Sequence, residues 1–175
     1  IDGEVIAEPH LKEVESIEHI AELLTQPERV SPNYLTKVEY CLDTDLLESV
    51  LKKLLPKHYS KLPVYDHKMH FKGLITTDLI YEYLVKNIEN IQGEIPNITM
   101  KEILEQDEKN RMVEFIPSHS TLLSVVSQFE RSLALGKRLN ALIITQDGAS
   151  NQKPLGIISI SDLPKIYDKI NKDLR

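Results

Sequence analysis

Tyr59–Asp66 reads YSKLPVYD, Lys72–Ile80 reads KGLITTDLI, and Leu155–Leu163 reads LGIISISDL. The first is a short apolar run with Val64 and Tyr65, bounded by polar residues, and it predicts a strand. The second opens on Gly73-Leu74-Ile75-Thr76, a further strand, and passes through Thr77-Asp78 into apolar residues at helical spacing. Asp66–His70 is a tight polar link between the two strands. The third stretch repeats the second. Gly156-Ile157-Ile158-Ser159 aligns with Gly73–Thr76 at an offset of 83.

Working outward, the repetition extends through most of the chain, and self-similarity of this kind decides a fold before any single element does. Val38-Glu39-Tyr40 matches Val113-Glu114-Phe115 at an offset of 75, which also carries Leu47 to Leu122, Ser49 to Ser124 and Val50 to Val125. SKLPVYD pairs with NALIITQ at an offset near 80. The offset grows inside two loops, around Glu130–Arg138 and at Asp147–Lys153, where insertions are tolerated. In the first half the order is a helix over Glu13–Leu24, a strand over Lys37–Leu42, a helix ended by Pro56, two strands and a helix. In the second half ITMKEILEQ, RMVEFI, SHSTLLSVVSQF, LNALIIT, LGIISI and SDLPKIYDKI follow the same order. The fold class is therefore α/β (α+β): two β-α-β-β-α repeats, each preceded by a short helix. The expected divisions are an N-terminal extension at 1–12, repeat one at 13–90, a linker at 91–98 and repeat two at 99–175. A unit of about 60 residues buries too little surface to be robust alone. The two are expected to pack sheet against sheet around one shared core as a pseudo-two-fold pair, with clefts where they meet.

Composition narrows the function. Of 175 residues, 21 are Lys or Arg and 27 Asp or Glu, so the net charge of −6 gives no bulk attraction to nucleic acid or an anionic membrane. A single cysteine, Cys41, excludes an intramolecular disulfide and a cysteine-rich zinc site and fits a reducing, cytoplasmic setting. The longest apolar run, Ala141–Ile144, is far below the roughly 20 residues that span a bilayer. Nineteen Ile against five Ala match an AT-rich bacterial genome. The chain begins with Ile1, which leaves a preceding segment open. His67 and His70 fall in a turn with no third ligand, and Ser118-His119-Ser120 has no acid beside it in sequence, so neither a metal site nor a hydrolase follows. There is no phosphate-binding glycine loop and no dinucleotide fingerprint. Nothing calls for catalysis.

The duplicated motifs resemble those of the tandem CBS (cystathionine-β-synthase-type) domain family. Its pattern is a small polar residue ahead of a Pro-Val strand, then a Gly-apolar-apolar-Ser/Thr strand and an Asp just inside the next helix. Ser60, Pro63, Gly73, Thr76 and Asp78 match in the first repeat, and Gly156, Ser159 and Asp162 in the second. The resemblance implies a non-enzymatic sensor that binds an adenosine-containing nucleotide (AMP, ATP, S-adenosylmethionine or cyclic di-AMP) as ligand rather than as required cofactor, and signals to a regulated protein. It implies that Thr76 and Ser159 face phosphate and that Asp78 and Asp162 accept from ribose hydroxyls. Both roles suit the chemistry, since strand ends before helix N-termini attract anions and an ionised Asp only accepts. The second repeat holds the family spacing, with six residues from Gly156 to Asp162; the first has five from Gly73 to Asp78 and makes a helix cap the competing role for Asp78.

The layout also resembles the small stand-alone cyclic di-AMP-binding CBS proteins of Gram-positive bacteria. That narrower resemblance places Lys37, Tyr59, Ser60 and Lys61 around the pocket of the first repeat, with Lys37, Lys61 and Arg138 as cations for a dianion. Asn140 stands where Ser60 stands in the first repeat. The basic residues some members carry before the last helix are replaced here by Ile160-Ser161. CBS pairs commonly form homodimers through their helices, which points to Leu79–Ile88 and Leu163–Ile170. Two other readings stay open: a ligand-free interaction or dimerisation module, favoured by the lack of a proline in NALIIT, and a regulatory fragment of a larger enzyme or transporter.

Overall fold

The computed structural model describes residues 10–90, 97–107 and 111–172. The first nine residues of the expected extension and residues 91–96 of the expected linker lie outside them. The elements are α1 (Leu11–Thr25), β1 (Cys41–Leu42), α2 (Leu47–Leu54), β2 (Lys61–Tyr65), β3 (Phe71–Thr76), α3 (Thr77–Lys86), α4 (Met100–Glu105), β4 (Met112–Pro117), α5 (Leu122–Ala134), β5 (Leu139–Thr145), β6 (Gly156–Ser159) and α6 (Leu163–Lys172). They form two three-stranded sheets of one plan. β1 runs parallel to β2 and β3 antiparallel to it, and β4, β5 and β6 repeat this.

The strand registers reproduce the offsets read from the residues. Cys41 faces Val64 as Ile116 faces Ile144, and Lys61 faces Thr76 as Ala141 faces Ser159. The offsets are thus 75 on the first strand, 80 on the second and 83 on the third. Asp43 and Thr44, read from the residues as caps of α2, do not cap it, since its N-cap is Leu46 with no side-chain hydrogen bond, and α3 is capped by Thr76 rather than by Thr77 or Asp78. Thr76, Thr99 and Thr121 each accept a hydrogen bond from the backbone N–H three residues on, at 3.1, 3.3 and 3.1 Å.

Two expectations need correcting. The first is the strand expected over Lys37–Leu42, which pairs only at Cys41 and Leu42, whereas its counterpart β4 pairs over six residues. Pro56 starts a tight 3-10 turn over Leu55–Lys57, His58 takes a left-handed conformation, and the Tyr59 N–H donates to the Leu54 carbonyl at 3.1 Å. Residues 58–60 therefore lie outside β2, which begins at Lys61. The second is the single shared core. The alternation of strand side chains divides the interior into three layers. Leu62, Val64 and Ile75 pack with Val50, Leu54 and Leu79 on the helix side of the first sheet, and Leu142, Ile144 and Ile158 with Val125, Phe129 and Ile166 on that of the second. Tyr65, Leu74, Ala141 and Ile143 are buried on the opposite faces. There an edge-to-face ladder links Tyr40 to Tyr65, Tyr65 to Phe71 and Phe71 to Phe115 at 5.6, 5.6 and 5.1 Å, crossing from one repeat to the other.

The segments leading into the repeats are exchanged. Ile98, Met100 and Ile103 precede β4, the first strand of the second repeat, and pack in the core of the first, and the Leu47 N–H donates to the Ile98 carbonyl at 2.8 Å. Val30, Tyr34 and Leu35 precede β1, the first strand of the first repeat, and pack in the core of the second, and the Val30 N–H donates to the Ser120 carbonyl at 2.9 Å. Both motif glycines lie beneath these crossings. A Cβ at Gly73 would come within 2.7 Å of Leu104, and one at Gly156 would collide with the Tyr34 carbonyl oxygen.

Candidate functional site: a cationic cleft between the repeats

A cleft of about 660 Å3 opens where β2 and β5 begin and β3 ends. The first repeat contributes Ser60 and Lys61 from the start of β2, Thr76, Thr77 and Asp78 from the β3–α3 junction, and Glu82 from α3. The second contributes Arg111 and Met112 ahead of and at the start of β4, Gly136–Asn140 leading into β5, and Ile160. Local structure sets each position. The Thr77 N–H donates to the Ser60 carbonyl at 3.1 Å and ties the start of β2 to the start of α3. Gly136, at φ +67°, closes α5, with the Lys137 N–H on the Ser132 carbonyl at 2.9 Å, and so brings Lys137 and Arg138 to the rim. Asn140 sits at a bulge. Met112 faces Leu139 and Val113 faces Ala141, so Asn140 has no opposite residue on β4 and is re-aimed.

Thr76 is the N-cap of α3: its hydroxyl accepts from the Leu79 N–H at 3.1 Å. Asp78, two residues further on, is relieved of capping, and its exposed carboxylate has no hydrogen-bond or ion-pair partner among the described residues. The equivalent junction of the second repeat is built differently. A 3-10 turn over Ile160–Asp162 precedes α6 and accounts for the extra residue in the motif spacing. The Asp162 carboxylate accepts from the Ser159 N–H at 2.8 Å and the Ser159 hydroxyl at 2.9 Å, and the Ser161 hydroxyl lies 2.8 Å from the Ser159 hydroxyl. Ser159 and Asp162 satisfy one another.

Charge in the cleft is unevenly paired. The Arg111 side chain, 6% exposed, is held between Asp107 and Glu82, the latter at 3.1 Å. Lys61, Lys137 and Arg138 have no ion pair among the described residues. Of the ten site residues expected from the sequence, the structure brings Ser60, Lys61, Thr76, Asp78 and Asn140 to this cleft. Lys37 lines a second cleft of about 700 Å3 along residues 35–42 and 153–155, where Lys53 pairs with Asp45 at 3.1 Å. Tyr59 is exposed beside Lys57, whose ammonium lies 5.8 Å from its ring. Pro63 is buried within β2 opposite Leu74. Tyr59, Pro63, Ser159 and Asp162 line neither cleft. Thr77, Glu82, Arg111 and Lys137 escaped the reading of the residues. Adjacency was the signal for two of them, Thr77 between Thr76 and Asp78 and Lys137 beside Arg138, whereas Glu82 and Arg111 reach the cleft through tertiary structure.

No family model matches the chain, and no curated protein resembles it in sequence. Solved structures do share its fold. CbpB in complex with c-di-AMP matches at a TM-score of 0.59 with 18% identity, over 91% of this chain and 96% of that one. The CBS domain of the bacterial CNNM/CorC family Mg2+ transporter in complex with ATP matches at 0.57 with 19% identity, over 91% and 96%. The CBS domain pair of protein MJ0100, in complex with 5-methylthioadenosine and S-adenosyl-L-methionine, matches at 0.57 with 17% identity, over 82% and 98%.

Proposed function

We propose that this chain, which has the fold of a tandem CBS pair, is a non-enzymatic regulatory module that binds an adenosine-containing nucleotide in the cleft between its repeats. The observation that carries this reading is the division of labour at the β3–α3 junction. Thr76 caps the helix, and the Asp78 carboxylate faces a cleft with three cations that lack ion pairs among the described residues. Asp78 then accepts from the ribose hydroxyls, while Ser60, Thr77 and the cations meet phosphate. The first repeat contributes Asp78 and Lys61 and the second contributes Asn140 and Arg138, so a bound nucleotide bridges the two. It thereby favours one packing of the pair, by no more than its difference in affinity for the two states. A partner protein reads that packing in the cytoplasm, where the lone cysteine stays reduced.

The test is calorimetric titration of a panel of adenine nucleotides into the whole chain and two variants. Asp78→Ala is expected to weaken binding about tenfold or more while keeping the melting temperature. Asp162→Ala is expected to lose its reciprocal cap at a cost of about 1 kcal/mol, lowering the melting temperature by a few degrees with binding little changed. Unchanged affinity in Asp78→Ala, or loss of binding confined to Asp162→Ala, removes the assignment to this cleft.

The same module is proposed to be a homodimer. Tyr81, Val85 and Ile88 follow one another at helical spacing on the outer side of α3 and just beyond it, 68%, 49% and 67% exposed, and a second copy offers the matching surface.

A further inference from the structure

We propose that the ligand of this cleft carries at least two phosphate groups, an inference that rests on the nucleotide reading above. All the charged groups lining the cleft enter it. Arg111 is neutralised by Asp107 and Glu82, and Asp78 is assigned to the ribose. What is left is Lys61 on one wall and Lys137 with Arg138 on the other, from different repeats. None of the three has a carboxylate partner among the described residues, although the chain carries 27 acidic residues and pairs Lys52, Lys53, Lys57, Lys72, Lys101 and Lys169 with acids. Lys61, Lys137 and Arg138 outnumber Asp78, the carboxylate lining the cleft without an ion pair among the described residues, so positive charge is left for an anion to meet.

A monophosphate is a poor match for this arrangement. It offers three terminal oxygens, whereas two ammonium groups and a guanidinium present about a dozen N–H donors. Those donors come from both walls, which belong to different repeats. Two phosphates, either consecutive in a linear nucleotide or separate in a cyclic dinucleotide, engage both. A ligand whose charge is positive, such as a sulfonium nucleoside, is disfavoured on the same ground.

The experiment is calorimetric titration of the whole chain with adenosine, AMP, ADP, ATP, cyclic di-AMP and S-adenosylmethionine, each at low and at raised salt. ADP and ATP, or cyclic di-AMP, are expected to bind at least tenfold tighter than AMP, with the gap narrowing as salt screens the cations. Which of the two chemistries wins distinguishes a linear from a cyclic ligand. The double variant Lys137→Gln/Arg138→Gln, at an exposed rim, is expected to close the gap to AMP without lowering the melting temperature. Equal affinity for AMP and the multiply phosphorylated compounds, or tightest binding of S-adenosylmethionine, overturns the inference and leaves the nucleotide reading standing. If no adenine compound binds, both fall together.

Discussion

Asp66, at the tip of the hairpin between β2 and β3, is held in its ionised form by a ring of donors. Its carboxylate accepts from the backbone N–H of His70 at 2.9 Å and of Lys68 at 2.8 Å, from the His70 ring at 3.0 Å and from Lys72 at 3.1 Å. The His70 backbone bond comes first among the causes that hold its pKa well below the ordinary 3.8. A carboxyl depressed in this way adds stability above its unfolded pKa, and that stability is lost as the pH falls toward the folded value. Asp66→Asn is therefore expected to be destabilised relative to the parent at pH 7, with the difference shrinking below about pH 4. Urea unfolding at pH 7 and pH 3 measures it, and a difference unchanged between the two would mean that the charge is not its source. Asp78 and Asp162 show the limit of such reasoning from residue type alone. A small polar residue followed closely by Asp is the signature of a helix start and of a ribose site alike. The spacing favoured Asp162, yet the same extra residue builds the 3-10 turn that folds Asp162 back onto Ser159.

Among the elements, α3 carries three tasks on three faces. Leu79, Ile80 and Tyr83 bury one side in the first core, Asp78 and Glu82 face the cleft, and Tyr81 and Val85 face outward. If the outer side meets a second copy, Val85→Asp places a charge in that contact and is expected to shift gel-filtration elution toward the monomer with the fold retained. Unchanged elution would remove α3 from the dimer contact. Element order and all three repeat offsets were legible in the residues because hydrophobic period is local, whereas the cap of α3 was read one or two residues late. The shortness of β1 was not legible. KVEYCL has strand alternation throughout, yet only Cys41 and Leu42 pair, and alternation marks a strand pattern without marking where its partner stops pairing. Half of the expected site fell together. Ser60, Lys61, Thr76 and Asp78 are tied by one hairpin and its helix, whereas Lys37 follows the unpaired strand into the other cleft.

At the scale of the molecule, the exchanged leaders explain why both repeats keep a glycine at the start of the third-strand motif. At Gly73 the neighbour is the end of the Leu104 side chain, which can swing aside; at Gly156 it is the backbone of residue 34. Gly156→Ala is therefore expected to cost roughly 1–3 kcal/mol, as overpacking does, and Gly73→Ala clearly less. Chemical denaturation of the two variants ranks them. The reverse order would mean that the leader over β6 yields more easily than a leucine side chain.

That exchange also bears on how the chain can be divided. Each repeat is completed by a segment attached to the other, with Met100 and Ile103 filling the first core and Val30 the second. Cut between the repeats, either half would lack the segment that fills its own core and carry the one that fills the other's.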